Sequence, residues 1–300
     1  MMIGADQFCG FGGSSEGAKM AGYSVVWAGN HWPTAIQVHE INHQQTTHAC
    51  EDITLTNYSE IPDIDFLMSS PECKGFSTAS QPRRNAGHEK SRHLPWAVVQ
   101  CLEVKRPEWL FVENVPRFLR WPAFNAWKKA IESFGYETET HILCATNHGV
   151  PQLRYRPFVI GRLGRKPNLH FTEADEIPVI GDFLEDTDKG WKPISKASKG
   201  DKGRFKAGRE KCGRTFISQM TTGHKGVPLD EPIRTLTTQD HWKLVDGDNY
   251  RQLTVRELSR AMGFSKDYTI PDVGRTNSVI GFGNAVCPPV MRDILVQALG

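Results

Sequence analysis

Long apolar runs are missing from this chain. Runs such as residues 109–112 and 64–68, the second interrupted by Asp65, are only four and five residues, against the roughly 20 that a bilayer-spanning helix needs. A membrane-embedded transporter or channel is therefore not expected. Paired cysteines are missing too. The seven cysteines are scattered singly and no CxxC occurs. This pattern argues against a disulfide framework or a zinc knuckle and for a reducing, cytoplasmic setting. No metal is expected. No internal repeat is visible, which sets solenoids and propellers aside. The chain passes from Met1 into a motif at Asp6, so no secretory leader is expected.

Charge of one sign is also lacking overall: 36 Lys and Arg face 34 Asp and Glu, a formal balance of +2. The distribution is less even. Residues 189–214 carry ten Lys and Arg against Asp201 and Glu210. Such a local stripe suits a polyphosphate, and it equally suits a solvated loop.

The first 160 residues alternate short apolar runs with helical patterns. Residues 23–28, 64–68 and 109–112 read as strands covered on both faces. Within 124–134, Phe124, Trp127, Ile131 and Phe134 recur at helical spacing, and Gly135 follows as a stop. The alternation predicts an α/β fold with a largely parallel sheet and helices on both faces. Residues 138–144 and 157–160 read as an antiparallel pair at the sheet edge. Residues 189–248 are rich in Lys, Gly and Thr with little helical period, and predict a small, irregular, β-containing domain. Helical patterning returns from Leu253, and 290–299 reads as the last helix.

Several clusters could carry chemistry. Asp6-Gln7-Phe8-Cys9-Gly10-Phe11-Gly12-Gly13 follows a short strand and precedes a helix. Its glycines allow a sharp turn and close approach to a cofactor, although a glycine turn also serves as plain structure. Ser69-Ser70-Pro71-Glu72-Cys73-Lys74-Gly75-Phe76-Ser77 sets a cysteine just past the carboxyl end of a strand, where α/β enzymes keep their sites. A lone cysteine is more often a small buried hydrophobe. Lys74 favours the thiolate and Glu72 opposes it. Glu113-Asn114-Val115 ends another buried strand, where a carboxyl group is expensive unless paired or used. In Gln152-Leu153-Arg154-Tyr155-Arg156 two arginines share one face of an extended segment and could grip a phosphate or a carboxylate.

Glycine turn, Pro-x-Cys, Glu-Asn-Val, Gln-x-Arg-x-Arg and then Gly283-Asn284-Ala285-Val286 follow one another along the chain. In this order the chain resembles the cytosine-5 DNA methyltransferases almost end to end. Arg251, Leu253, Arg256, Glu257, Met262, Gly263 and Phe264 resemble that family's ninth motif. The region without matching motifs, near 189–250, is where the family keeps its variable target-recognition domain.

The resemblance implies a Rossmann-like methyltransferase sheet, S-adenosylmethionine as cofactor and double-stranded DNA as partner. It implies Cys73 as nucleophile, Glu113 as the acid on the base, and Arg154 and Arg156 as supports of base and loop. By the same likeness Phe8, Gly10 and Gly12 line the cofactor's methionine end. Trp32 stacks on adenine, and Asp52 and Ile53 meet its edge. Leu94, Asn284 and Val286 close the site. Lys74, Ser77, Arg83 and Arg84, with Arg204, Lys206 and Arg209 of the basic stripe, are expected on DNA. Expected boundaries are a catalytic domain over 1–186 completed by 276–300, a recognition domain over 187–250 and a hinge over 251–275. A monomeric bacterial or phage enzyme of the restriction-modification kind, with a short target site, fits this outline.

Three positions depart from the family's pattern. His31 stands where an acid usually binds the ribose, and it is counted among the cofactor residues. Glu40 is nine residues on, roughly 13 Å along a helix, and cannot substitute. Glu72 and Lys74 place a charge pair around the cysteine. Gln7 replaces a leucine, a change expected to matter little. An RNA methyltransferase shares the fold and the cysteine chemistry. A catalytically silent DNA-binding relative would lack Cys73 or Glu113. A dehydrogenase needs Gly-x-Gly-x-x-Gly, which the glycines at 10, 12, 13 and 17 do not match.

Overall fold

The computed structural model describes residues 2–71, 93–221 and 223–300. The chain divides into two units. Unit one holds Met1–Cys144, Tyr155–Thr172 and Ala285–Gly300, and unit two holds Ala145–Arg154 and Glu173–Asn284. The whole segment 251–275 thus belongs to unit two.

Unit one is built on a seven-stranded sheet. Its strands are β1 (Ile3–Gln7), β2 (Ser24–Asn30), β3 (Thr47–Cys50), β4 (Phe66–Ser69), β5 (Trp109–Glu113) and β6 (Tyr136–Cys144), followed after the two-residue β7 (Gln152–Leu153) of unit two by β8 (Tyr155–Leu163). The spatial order is β3-β2-β1-β4-β5-β8-β6. The first five strands pair in parallel, and β8 runs antiparallel to both β5 and β6. The antiparallel edge pair read from 138–144 and 157–160 is β6 with β8.

Side-chain alternation explains why the central strands are apolar throughout. Leu67, Leu110 and Val112 share a core with Ala97, Val98, Cys101 and Leu102 of α3 (Trp96–Lys105) and Trp127 and Ile131 of α4 (Phe124–Ser133). Trp109 and Phe111 alternate with Leu110 and Val112; their rings stack 5.9 Å apart, and Phe66 meets Phe111 edge-on at 6.4 Å. Among the described residues, the remaining helices of unit one are α1 (Gly13–Met20), α2 (Pro33–Asn42) and the C-terminal helix Pro288–Leu299. The last packs on α1 so closely that a Cβ on Gly17 would lie 2.6 Å from the Pro288 carbonyl oxygen. Only glycine fits there.

Strand order reverses between β1 and β4. The chain moves outward to β2 and β3 on one side and to β4 and β5 on the other. The carboxyl ends of β1 and β4 therefore flank a topological switch point, the place where open α/β sheets hold ligands.

Unit two contains a four-stranded antiparallel sheet, β10-β12-β13-β9, from β9 (Lys192–Pro193), β10 (Thr215–Gln219), β12 (Trp242–Asp246) and β13 (Asn249–Gln252). The short β11 (Ile233–Arg234) pairs in parallel with β7. The basic stretch is more ordered than its composition suggests, for 14 of its residues form a helix, α5 (Lys199–Cys212). Ser198 caps it, accepting from the Asp201 amide at 3.1 Å. Its buried seam is only Asp201, Phe205 and Gly208, spaced four and three apart. So thin an apolar stripe, among several glycines, hides the helix from periodicity. Phe205 packs with Ala197, Phe216 and Val245.

Then follow α6 (Val255–Ala261) and α7 (Arg275–Asn284). Thr254 and Glu257 form a capping box at the start of α6. Arg251 meets the Glu257 carboxylate with two bonds of 2.7 Å, and both side chains are buried. Taken together, Arg275–Leu299 is apolar enough to pass as a membrane span, but 72% of its most apolar window is buried. It also breaks between α7 and Pro288. These are core helices.

Candidate active site

The glycine turn leaves β1 at Gln7 and enters α1 at Gly13. Phe8, Gly10 and Gly12 all have positive φ, at 64°, 53° and 74°. Gly10 and Gly12 take this conformation at no steric cost, whereas Phe8 must be held there. Among the described residues, a Cβ on Gly10 would meet within 4 Å only the Phe8 carbonyl oxygen, at 3.9 Å. Gly13 is the opposite case. A Cβ there would lie 2.1 Å from the Val286 carbonyl oxygen. The Val286 turn thus rests directly on the first turn of α1, and Val286 itself is buried.

Asp6, one residue before Gln7, is fully buried in β1. Ser15 donates to its Oδ2 at 2.7 Å. Burial pushes the Asp6 carboxyl up to about 7, against the lowering effect of the Ser15 bonds. His39 Nε2 lies 3.0 Å from Ser15 Oγ, and His39 Nδ1 lies 2.7 Å from His48 Nε2. Burial holds the His39 imidazole well below its ordinary range. A polar chain therefore runs from the half-buried His48 inward to the end of β1. The sequence reading missed it, because α2 and β3 carry no motif.

At the end of β2, Asn30 Oδ1 accepts from the Trp32 amide at 2.9 Å and fixes the entry to α2. His31 is exposed. The Trp32 ring stacks on Phe11 at 5.6 Å and 15°. Asp52 caps the turn Ile53–Leu55 through bonds from the Thr54 amide and hydroxyl, and Ile53 is buried below it. Leu94 is half-buried against the main core.

Glu113 closes β5 and is 7% exposed. Arg156 Nε lies 3.1 Å from its Oε1. Asn114 donates its side-chain amide to the Pro71 carbonyl at 3.1 Å, and its backbone amide to Pro157 at 3.1 Å. The ends of β4, β5 and β8 are thereby bound together, with Pro71 two residues before Cys73. Among the described residues the two arginines have different partners. Arg154 belongs to unit two, where it donates to the carbonyls of Leu236 at 2.9 Å and Gly283 at 3.1 Å. Its fellow Arg156 serves Glu113. Asn284, next to Gly283, is exposed.

Cys73, Glu72, Lys74, Ser77, Arg83 and Arg84 lie outside the described residues. On α5, Lys206 is exposed, while Arg204 pairs with Asp201 at 2.9 Å and Arg209 with Asp248 at 3.3 Å. No group of three or more His, Cys, Asp or Glu that could hold a metal occurs among the described residues.

A parallel-dominated sheet with a glycine turn at its switch point and an acid at the end of its fifth strand makes a Rossmann-like ligand-binding fold. The chain belongs to the C-5 cytosine-specific DNA methylase family, whose model matches residues 2–299, and is a DNA cytosine-5 methyltransferase. It is 27% identical over 318 residues to the type II methyltransferase M.Bsp6I of Bacillus sp. (strain RFL6), covering 97% of this chain and 96% of that protein. With M.NlaX of Neisseria lactamica it is 28% identical over 309 residues, covering 97% and 94%. Among solved structures, an E. coli prophage-encoded chain described as a DNA modification methyltransferase superposes with a TM-score of 0.74 at 21% identity, covering 99% and 98%.

Proposed function

We propose that the protein transfers a methyl group from S-adenosylmethionine to carbon 5 of cytosine in double-stranded DNA, at a short target site. In this reading Cys73 is a covalent nucleophile acting on a flipped-out base. The observation that carries it is the junction of Glu113, Arg156, Asn114 and Pro71. It sets a buried carboxylate, held by a guanidinium, beside the strand end that leads into Cys73.

The residues present suit the cofactor. The room that the described residues leave around Gly10, with the positive-φ turn, suits a close ligand, and Trp32 offers an aromatic ring. Phe8, Gly10 and Gly12 would hold the methionine end, Trp32, Asp52 and Ile53 the adenine, and Leu94, Asn284 and Val286 the flanks. His31 would face the ribose with an imidazole in place of an acid. S-adenosylmethionine supplies an electrophilic methyl group on a sulfonium.

Carbon 5 of cytosine is a poor nucleophile. Addition of the Cys73 thiolate at carbon 6 turns the ring into an enamine, which makes carbon 5 reactive. Glu113, in its protonated form, would deliver its proton to ring nitrogen 3 as charge develops, while its other oxygen accepts from the exocyclic amine. Arg156 orients Glu113, and Arg154 would help to hold the base and the catalytic loop. Carbon 5 takes the methyl group, then loses its proton, and the returning electron pair expels Cys73. A stacked base cannot meet these groups, so it must leave the helix. Lys74, Ser77, Arg83, Arg84, Arg204, Lys206 and Arg209 would contact the DNA. The protein would act as a cytoplasmic monomer in a bacterial or phage-infected cell.

Fluorine at carbon 5 cannot leave as a proton does, so it should trap the adduct. A random-sequence duplex carrying 5-fluorocytosine, incubated with protein and S-adenosylmethionine, should give a denaturation-resistant complex that Cys73→Ser abolishes. A complex that persists in Cys73→Ser refutes the nucleophile assignment.

A further inference from the structure

Gln7 has a larger role than its place at a family leucine suggests. It is fully buried. Its Oε1 accepts from the Ser69 hydroxyl at 2.8 Å. Its Nε2 donates to the Ala97 carbonyl at 3.1 Å and to the Tyr58 hydroxyl. Tyr58, also buried, donates onward to the Ile53 carbonyl at 3.0 Å. The Gln7 backbone carbonyl accepts the Ser70 amide at 3.1 Å. Both amide hydrogens and the amide oxygen are thus engaged, which offsets the cost of burying the group.

The partners are informative. Ser69 ends β4, four residues before Cys73. Ala97 lies in the first turn of α3, after the Cys73 segment in sequence. Ile53 is the residue assigned above to the adenine edge. A leucine could fill the space but could join none of these.

We propose that Gln7 is a positioning residue that couples the adenine-edge turn at Ile53 to the strand end and helix start flanking the Cys73 segment. This rests on the cofactor assignment made above. One arm runs from Gln7 Oε1 to Ser69 and sets the nucleophile's side. The other runs through Nε2 and Tyr58 to Ile53 and sets the cofactor's side. A satisfied buried amide fixes one relative register of these elements, where an apolar contact tolerates several.

The two arms predict separable kinetics. Steady-state methyl transfer by the full chain is measured for wild type, Gln7→Leu, Ser69→Ala and Tyr58→Phe, with thermal unfolding of each. Ser69→Ala should lower kcat at least fivefold with KM for S-adenosylmethionine within twofold of wild type. Tyr58→Phe should raise that KM at least fivefold with kcat nearly kept. Gln7→Leu should show both effects, and adding Ser69→Ala to it should cost no more than a further twofold in kcat. A purely structural role would lower the unfolding temperature without this split. If Gln7→Leu does not fold, the two hydroxyl deletions carry the test. An active wild type whose folded variants all match it within twofold overturns the coupling alone. A wild type that transfers no methyl group overturns the proposed function and the coupling with it.

Discussion

The side-chain amide of Asn114 binds the Pro71 carbonyl at 3.1 Å, so the residue after the buried acid Glu113 holds the chain two residues before Cys73. Two stretches 43 residues apart in sequence meet at adjacent parallel strand ends. Replacing Asn114 with Ala removes this tie and leaves a buried carbonyl without that donor. The expected loss is about 1–3 kcal/mol in urea unfolding, with a larger fractional loss of single-turnover rate than of DNA affinity.

Arg156 holds Glu113 at 3.1 Å, and both side chains are mostly shielded. Arg156→Ala should lower the single-turnover rate by on the order of 100-fold, the scale expected when a reacting group is displaced by about 1 Å. Arg156→Lys keeps the charge but loses the planar fork, and should recover only part of the rate.

Gly10 and Gly13 should respond differently to alanine. Gly13→Ala drives a Cβ into the Val286 carbonyl and should destabilise unit one by about 1–3 kcal/mol. Gly10→Ala meets no described atom closer than 3.9 Å but keeps a φ of 53°, so its cost is backbone strain of about 1–2 kcal/mol. Its clearer effect should be weaker S-adenosylmethionine binding, read by calorimetric titration.

The histidine cluster on α2 should make stability depend on acid. Burial, then the charges of Lys19 and His48, push His43 down to about 4 from 6.5. The unfolded chain therefore takes up its proton first as pH falls. The His43 contribution is intact above pH 6.5 and is lost progressively between about 6.5 and 4. Relative to a His43→Gln variant, wild type should lose up to about 3 kcal/mol on going from pH 7 to pH 4, by urea titration at each pH. A constant difference between the two proteins would contradict this.

On α5, Lys206 and Arg204 should separate by salt dependence. Lys206 is exposed, so Lys206→Ala should weaken DNA binding and reduce the log–log salt slope by about 0.9. Arg204 is committed to Asp201, and Arg204→Ala should lower the melting temperature with a smaller change of slope.

Much of this was legible beforehand. Strands β2, β4 and β5 announced themselves because strands buried on both faces are apolar throughout. Helix α4 did so through Phe124, Trp127 and Ile131. Motif order pointed to Glu113, the glycine turn and the Val286 turn. The rest depends on partners distant in sequence. Gln7 reads as a minor replacement of a leucine until Ser69, Tyr58 and Ala97 fold around it. Arg154 and Arg156 look alike two residues apart, yet the chain passes between units there and sends them to different partners. Helix α5 escaped notice because Phe205 alone anchors it among lysines and glycines. The Asp6–Ser15–His39–His48 chain joins four elements, and no local pattern encodes it.

The most direct test of the central claim is bisulfite sequencing of plasmid DNA incubated with purified protein and S-adenosylmethionine, beside Cys73→Ala. The account predicts cytosines protected from conversion at one short recurring sequence, all lost in the variant. Protection that survives in Cys73→Ala, or no protection with the wild type, would contradict it.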